Sequence, residues 1–298
     1  MGNIAESVLA KLKNESKKKG ISLQQLLNLF CQEEFIRRLS NSNYKYNLIL
    51  KGGFLLYSIS KFTTRPTIDA DYLLKNYSND INTIEKLVRE VISICNKNEF
   101  IEIKIRNLGI ISEFKEYHGV RVNLIGIIGR TRTPFSIDFG VGDIVIPSPV
   151  ERTLPALLSD FEEPRILTYS LEYTVAEKID AIISLMETTG RMKDFYDIYY
   201  IATTFDFEGR KLQEAIYETL TNRGRAYEID SISDIFRLTK DLEILKRWNN
   251  FCSKILNYEL NFTDVVNVII SFISPPYESI LVEDEFFKDW RCKEGRYF

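Results

Sequence analysis

Residues Arg65 to Asp71 read Arg-Pro-Thr-Ile-Asp-Ala-Asp, shortly after Lys51-Gly52-Gly53. If the chain after Pro66 is extended, Asp69 and Asp71 fall on one face, because side chains alternate with a period of two. Two carboxylates so close repel each other, and a divalent cation between them removes that cost. Mg²⁺ favours one or two carboxylates plus substrate phosphates over an all-protein cage. Gly52-Gly53, ahead of Phe54-Leu55-Leu56-Tyr57, offers unhindered backbone N–H groups at a helix start, where phosphate binds well. The pair alone marks a turn as readily, and the Asp-x-Asp one helix-length later gives it weight. It is not a Walker loop, since the G-x-x-x-x-G-K-S/T spacing is absent. A third carboxylate is needed if metal is also to activate an attacking hydroxyl. Asp138, inside Phe135-Ser136-Ile137-Asp138-Phe139, is the natural supplier, with Asp143 beyond Gly140 and Gly142 as the alternative. Convergence of Asp69, Asp71 and Asp138 would let two metals clamp the attacking and leaving oxygens of an in-line displacement on a nucleoside triphosphate.

The elements that must hold these groups follow from periodicity. Ile4, Val8, Leu9 and Leu12 recur at helical spacing, Gly20 is a stop, and Ser22 caps a second helix running through Leu39. Strands are expected over Ile68–Leu74, Glu99–Asn107, Gly119–Ile128 and Phe135–Phe139, with an amphipathic helix at Ile81–Asn96. That order predicts an α+β fold with a small mixed sheet. Ser148–Thr168 carries Pro149, Pro155 and Pro164 and reads as a connector. Helical patterns follow at Val175–Glu187, Lys193–Phe205, Gly209–Asn222, Ser233–Tyr258 and Thr263–Ile273, the last ended by Pro275-Pro276. The expected division is an N-terminal helical arm over 1–47, a core over 48–165 and a C-terminal helical domain over 166–298. The aromatic tail beyond Glu283 is expected to dock on the body.

Composition excludes several classes. The chain of 298 residues is 45% apolar and 27% charged, as in an ordinary soluble protein able to bury a full core. Cys31, Cys95, Cys252 and Cys292 are scattered without a C-x-x-C pair, which suits a reducing cytoplasm. No apolar run approaches the roughly 18 to 20 residues of a membrane helix, so no membrane partner is expected. The single histidine, His118, excludes a histidine-built zinc site and makes Ser-His-Asp chemistry improbable. Net charge is -3, yet Lys17-Lys18-Lys19, Arg37-Arg38, Lys45, Lys51, Lys61 and Arg65 make the stretch from Met1 to Pro66 basic. Such a lobe suits a phosphate-rich polymer such as RNA, or is simply a solvated helical face.

Gly52-Gly53 with Arg65-x-Thr67-x-Asp69-x-Asp71, Ile137-Asp138-Phe139-Gly140, Glu177-Lys178-Ile179-Asp180, and Arg191-Met192-Lys193-Asp194-Phe195-Tyr196-Asp197 together resemble the AbiEii nucleotidyltransferase toxins. These belong to bacterial abortive-infection (type IV) toxin–antitoxin systems, within the DNA polymerase beta-like nucleotidyltransferase superfamily. The resemblance extends to about Tyr200. It implies a small nucleotidyltransferase core, with Gly52, Asp69 and Asp71 holding metal and triphosphate, Lys178 contacting phosphate and Asp194 as a further essential acid. The metal implied is Mg²⁺, or Mn²⁺ in its place. Arg65, Thr67, Gly53 and Lys193 are candidate ligand contacts, with a salt bridge to the aspartates an alternative for Arg65 and pairing to Asp180 or Glu177 an alternative for Lys178. The implied reaction is transfer of NMP from an NTP to an RNA acceptor, the 3′ end of tRNA, so blocking translation. A cognate antitoxin encoded nearby is the implied partner. The alternatives are a protein hydroxyl or small-molecule acceptor, or a non-catalytic GTP-binding regulator.

Overall fold

The computed structural model of the protein describes residues 2–67, 69–94, 97–111, 119–141, 145–224, 228 and 230–298. The chain forms two units, Met1–Gly142 with Val150–Thr168, and Asp143–Pro149 with Tyr169–Phe298. Its fold is α+β, a mixed sheet with helical regions before and after it in the chain.

The first unit opens with α1 (Gly2–Lys19) and α2 (Leu23–Ser40). Ser22 caps α2 as its type predicts, its hydroxyl accepting from the Gln25 N–H at 3.2 Å. The charges of α2 behave differently from expectation. Arg37 and Arg38 neither coat a basic lobe nor face solvent, because both are buried beside Glu33 and Glu34 of the same helix. Glu34 accepts from both arginines at 3.1 Å, and Arg37 also pairs with Glu33. Arg38 donates to the carbonyls of Ile92 and Ile101 at 2.5 and 2.7 Å, and Arg37 to that of Glu162 at 2.9 Å. Glu33 accepts the Leu157 N–H at 2.8 Å. Buried charges persist only when paired and hydrogen-bonded, so these four side chains fasten α2 to its surroundings. Burial pulls the Arg37 guanidinium down to about 10, still charged at neutral pH.

The sheet strands are β1 (Leu48–Lys51), β2 (Ala70–Leu74), β3 (Ile101–Ile111), β4 (Gly119–Ile128), β5 (Thr131–Val141), β6 (Val150–Thr153) and β7 (Arg165–Thr168). Helices α3 (Gly52–Ile59) and α4 (Ile81–Ser93) interrupt them. Among the described residues the order is β3-β4-β5-β2-β1-β7-β6, with β2 parallel to β5 and antiparallel to β1. Alternation in β4 is as expected: Val120, Val122 and Leu124 are buried, while Arg121 and Asn123 are partly exposed. The strand expected from Ile68 begins at Ala70, and Ile68 itself lies outside the described residues, as do Cys95, His118 and Asp143. The supposed connector at 148–168 supplies β6 and β7, with β7 parallel to β1. Its prolines punctuate these strands without entering them, Pro149 and Pro164 each standing one residue before a strand, so no ladder N–H is lost.

The second unit contains α5 (Leu171–Leu185), α6 (Met192–Thr204), α7 (Gly209–Asn222), α8 (Leu242–Phe251) and α9 (Phe262–Leu281). The helix expected over Ser233–Tyr258 is broken into a 3₁₀ stretch at Ser233–Lys240, α8, and a π turn at Cys252–Leu256. The break falls at Asp241, whose carboxylate takes the N–H groups of Glu243 and Ile244 at 2.8 and 2.9 Å and so starts a new helix. The tail docks as expected: β9 (Asp289–Arg291) joins β8 (Phe207–Glu208) and β10 (Arg296–Tyr297), and the Trp290 ring N–H donates to the Ala202 carbonyl at 2.7 Å.

Pro275-Pro276 does not end the last helix; α9 runs through both to Leu281. A proline at position 276 removes the N–H that the Phe272 carbonyl would accept four residues earlier. The Tyr297 hydroxyl supplies a replacement, donating to that carbonyl at 2.6 Å. Phe272, Ile273, Pro276 and Tyr277 are buried, so packing favours continuation once the orphaned carbonyl is satisfied. Tyr297→Phe is therefore expected to destabilise the protein by about 1–3 kcal/mol, read as a lower midpoint in urea unfolding, with an unchanged midpoint refuting the role of this bond.

Candidate active site

Across four strands the ladder sets Lys51 opposite Asp71, Asp71 opposite Asp138, and Asp138 opposite Arg121. Directly paired residues share a sheet face, so these four make one row, cationic at both ends and anionic in the middle. Arg121 forks onto Asp138, Nε to Oδ1 at 2.7 Å and Nη2 to Oδ2 at 2.6 Å. That hydrogen bond raises the Arg121 pKa, and the charges of Asp138, Asp69 and Asp71 raise it further against the opposing effect of burial. The guanidinium therefore feels all three carboxylates. Asp69 stands just before β2 and accepts from the Ser136 hydroxyl at 2.9 Å, and Ser136 shares the Asp138 face of β5. The three acids named from spacing are thus gathered along β2 and β5.

Gly52 starts α3 with φ +70°, a left-handed conformation, and a Cβ there would collide with Asp71 Oδ2. Conformation and close approach both require glycine. A Cβ on Gly53 would lie 3.0 Å from Thr67 Oγ1 and 3.3 Å from Arg65 Nη2. The start of α3 is therefore ringed by Asp71, Thr67 and a buried Arg65, and its N-cap residue, Lys51, contributes no side-chain cap. Thr67 donates to the Asp69 backbone carbonyl at 3.3 Å, so its hydroxyl helps shape the turn into β2.

In the second unit, Lys178 of α5 meets two acids of α6, Asp194 Oδ1 at 2.6 Å and Asp197 Oδ2 at 2.8 Å. Both aspartates are buried, and Arg191 adds a contact to Asp194 Oδ2 at 3.0 Å. Lys178 is therefore a positioned lysine, while Glu177 and Asp180 are engaged by Arg223. Lys193 is on α6 but exposed.

The profile of the family described as "Nucleotidyl transferase AbiEii toxin, Type IV TA system" matches residues 34–272. The chain belongs to the AbiEii family. It is accordingly a toxin nucleotidyltransferase of the DNA polymerase beta-like superfamily, from a system that includes a cognate antitoxin. Among solved structures it is similar to MenT4, a nucleotidyltransferase toxin from Mycobacterium tuberculosis H37Rv, at 13% identity over 90% of this chain and 88% of that one, with a TM-score of 0.57. It is also similar to JHP933 from Helicobacter pylori, at 14% identity over 88% of this chain and 97% of that one, with a TM-score of 0.50. These likenesses establish the shared fold. No curated protein matches the sequence. No described helix is long and apolar enough to cross a membrane.

The donor set of this AbiEii chain fits the Mg²⁺ that the family implies. Among the described residues no group of three or more acidic, histidine or cysteine side chains is arranged to hold a metal by itself. Asp69 and Asp71 instead provide hard oxygen donors beside a helix start suited to phosphate, the combination Mg²⁺ prefers. Sequence reasoning missed Arg121 and Ser136. Their only signal was the polar phase of β4 and β5, which acquires meaning once strand register is known.

Two outcomes follow for the AbiEii site. Gly52→Ala should destabilise the protein by about 1–2 kcal/mol through its positive φ and depress nucleotidyl transfer by displacing Asp71; full activity in a label-transfer assay would refute the close approach. Lys178→Ala removes the cation that the buried Asp194 and Asp197 share, leaving Arg191 on Asp194, and should cost about 3 kcal/mol, measured by chemical denaturation. Unaltered stability would mean the clamp is not structural.

Proposed function

We propose that the protein transfers a nucleoside monophosphate from an NTP to a hydroxyl of RNA, releasing pyrophosphate, and that the acceptor is the 3′ end of tRNA. The observation that carries this reading is the Lys51–Asp71–Asp138–Arg121 row, with Gly52 pressed against Asp71 at the start of α3. The tRNA end comes from the family resemblance, and its modification would block aminoacylation and so translation.

In this mechanism the N–H groups at Gly52 and Gly53 hold the terminal phosphates, where the helix start favours negative charge. Asp69 and Asp71 would hold Mg²⁺ or Mn²⁺, which when bound would screen the triphosphate and draw electrons from the α-phosphorus. Ser136 orients Asp69 through its hydroxyl. The acceptor oxygen forms a bond to the α-phosphorus while the bond to the bridging oxygen breaks and pyrophosphate leaves. Asp138, held by the Arg121 fork, takes the proton of the acceptor hydroxyl. Thr67 and Arg65 shape the phosphate cradle around Gly53. Lys178 and Asp194 are required for the same reaction by resemblance, with Lys193 a weaker contributor of charge. The setting is the cytoplasm, and the nearby antitoxin opposes the effect with or without stable binding.

Incubation of purified protein with each labelled NTP and total RNA, with and without Mg²⁺, tests the reading. Metal-dependent label on tRNA is expected, and Asp69→Asn or Asp71→Asn should reduce it at least about 100-fold while thermal unfolding shifts little. Label confined to protein or a small molecule would move the acceptor elsewhere. Binding of GTP without any transfer would make the protein a regulator, and undiminished activity in the aspartate variants would refute the metal assignment.

A further inference from the structure

A cavity of about 280 Å³ opens beside Ser136, lined also by Asn28, Arg106, Asn107, Asn123 and Phe135. Its polar wall continues the acid site directly, because the Ser136 hydroxyl that lines it is bonded to Asp69 at 2.9 Å. Asn123 stands opposite Ser136 in the ladder, and its amide donates to Asn107 Oδ1 at 2.7 Å. Arg106 sits at a register shift between Ile105 and Asn107, the kind of bulge that re-aims a side chain. It makes no ion pair among the described residues. Asn28 of α2 is buried and donates to the Pro134 carbonyl at 3.2 Å. Amides and a guanidinium together suit one nucleoside with an adjoining phosphate. The volume is at the small end of ligand pockets, so the cavity takes a single nucleotide and not a stretch of chain.

Position in the sheet selects which nucleotide. The strand order runs from β1, where Gly52 begins the phosphate cradle, through β2 and β5 with their acids, to β4 and β3, which carry the cavity. In an in-line displacement the attacking and leaving oxygens lie on opposite sides of the phosphorus. With pyrophosphate held at Gly52-Gly53, the attacking hydroxyl must arrive from the β4–β3 side. We propose that this cavity binds the acceptor's terminal nucleoside, with Arg106 and Asn123 reading it. The proposal rests on the NTP-to-RNA reading above and deepens it.

The test measures binding by the full chain of two probes, a short fluorescent single-stranded RNA with a free 3′-hydroxyl and a set of non-hydrolysable NTP analogues. Arg106→Ala and Asn123→Ala alter partly exposed side chains and leave the core intact. Each is expected to weaken RNA binding about tenfold or more while analogue binding is unchanged. Weakened analogue binding with RNA unaffected would assign the cavity to the donor base and overturn the proposal, as would two variants indistinguishable from wild type. Wild-type protein that binds the analogues but no RNA would overturn the cavity and the RNA acceptor together. RNA binding that survives both substitutions would overturn the cavity alone.

Discussion

Two carboxylates stand directly opposite each other on adjacent parallel strands, Asp71 on β2 and Asp138 on β5. Like charges so placed destabilise a sheet, and nothing in strand propensity would select the arrangement. It is tolerable here because the row is closed by Lys51 on one side and Arg121 on the other. The register of four strands is thereby coupled to one electrostatic condition. A slip of one residue in any of them would turn a charge into the core and leave the others uncompensated. The backbone approach of Gly52 to Asp71 imposes a second condition on the same point, so α3 can begin only there.

Such a row needs a firm support beneath it, and α2 provides part of it. The opposite face of the strands is apolar, with Tyr72, Ile137 and Phe139 fully buried, and Phe35 of α2 meets the Tyr72 ring edge-on at 6.0 Å between centroids. The Glu33, Glu34, Arg37 and Arg38 network then ties α2 to the segments at Ile92, Ile101, Leu157 and Glu162. Burying four charges gains little free energy against an apolar alternative, but it rewards only one docking of the helix. Cys31 belongs to the same contact. Its sulfur fills the space left by Gly126 of β4, and burial with the nearby Glu34 charge pushes its thiol up to about 12, which makes it inert at neutral pH.

The sequence made readable those features that depend on local period and residue type. The strand carrying Val120, Val122 and Leu124, the capping by Ser22, and the Asp-x-Asp at the start of β2 all follow from residue type and spacing. What stayed hidden depended on partners remote in the chain. Arg37 and Arg38 read as surface charge because their buried acids are visible as partners only after α2 is docked. Pro275-Pro276 read as a stop because the hydroxyl that replaces the missing donor comes from Tyr297, twenty-one residues later in the sequence. Arg121 lies seventeen positions before Asp138, and only the β4–β5 register makes it the neighbour of an acid.

The Arg121 fork also constrains how Asp138 can act. A carboxylate that accepts two guanidinium bonds has one edge occupied. Each oxygen keeps a further acceptor direction, so Asp138 can still receive a hydroxyl from the side away from Arg121. That side faces Asp71 on β2. The same pairing that makes Asp138 tolerable in the sheet thus restricts the free acceptor directions of its carboxylate to the space between β5 and β2.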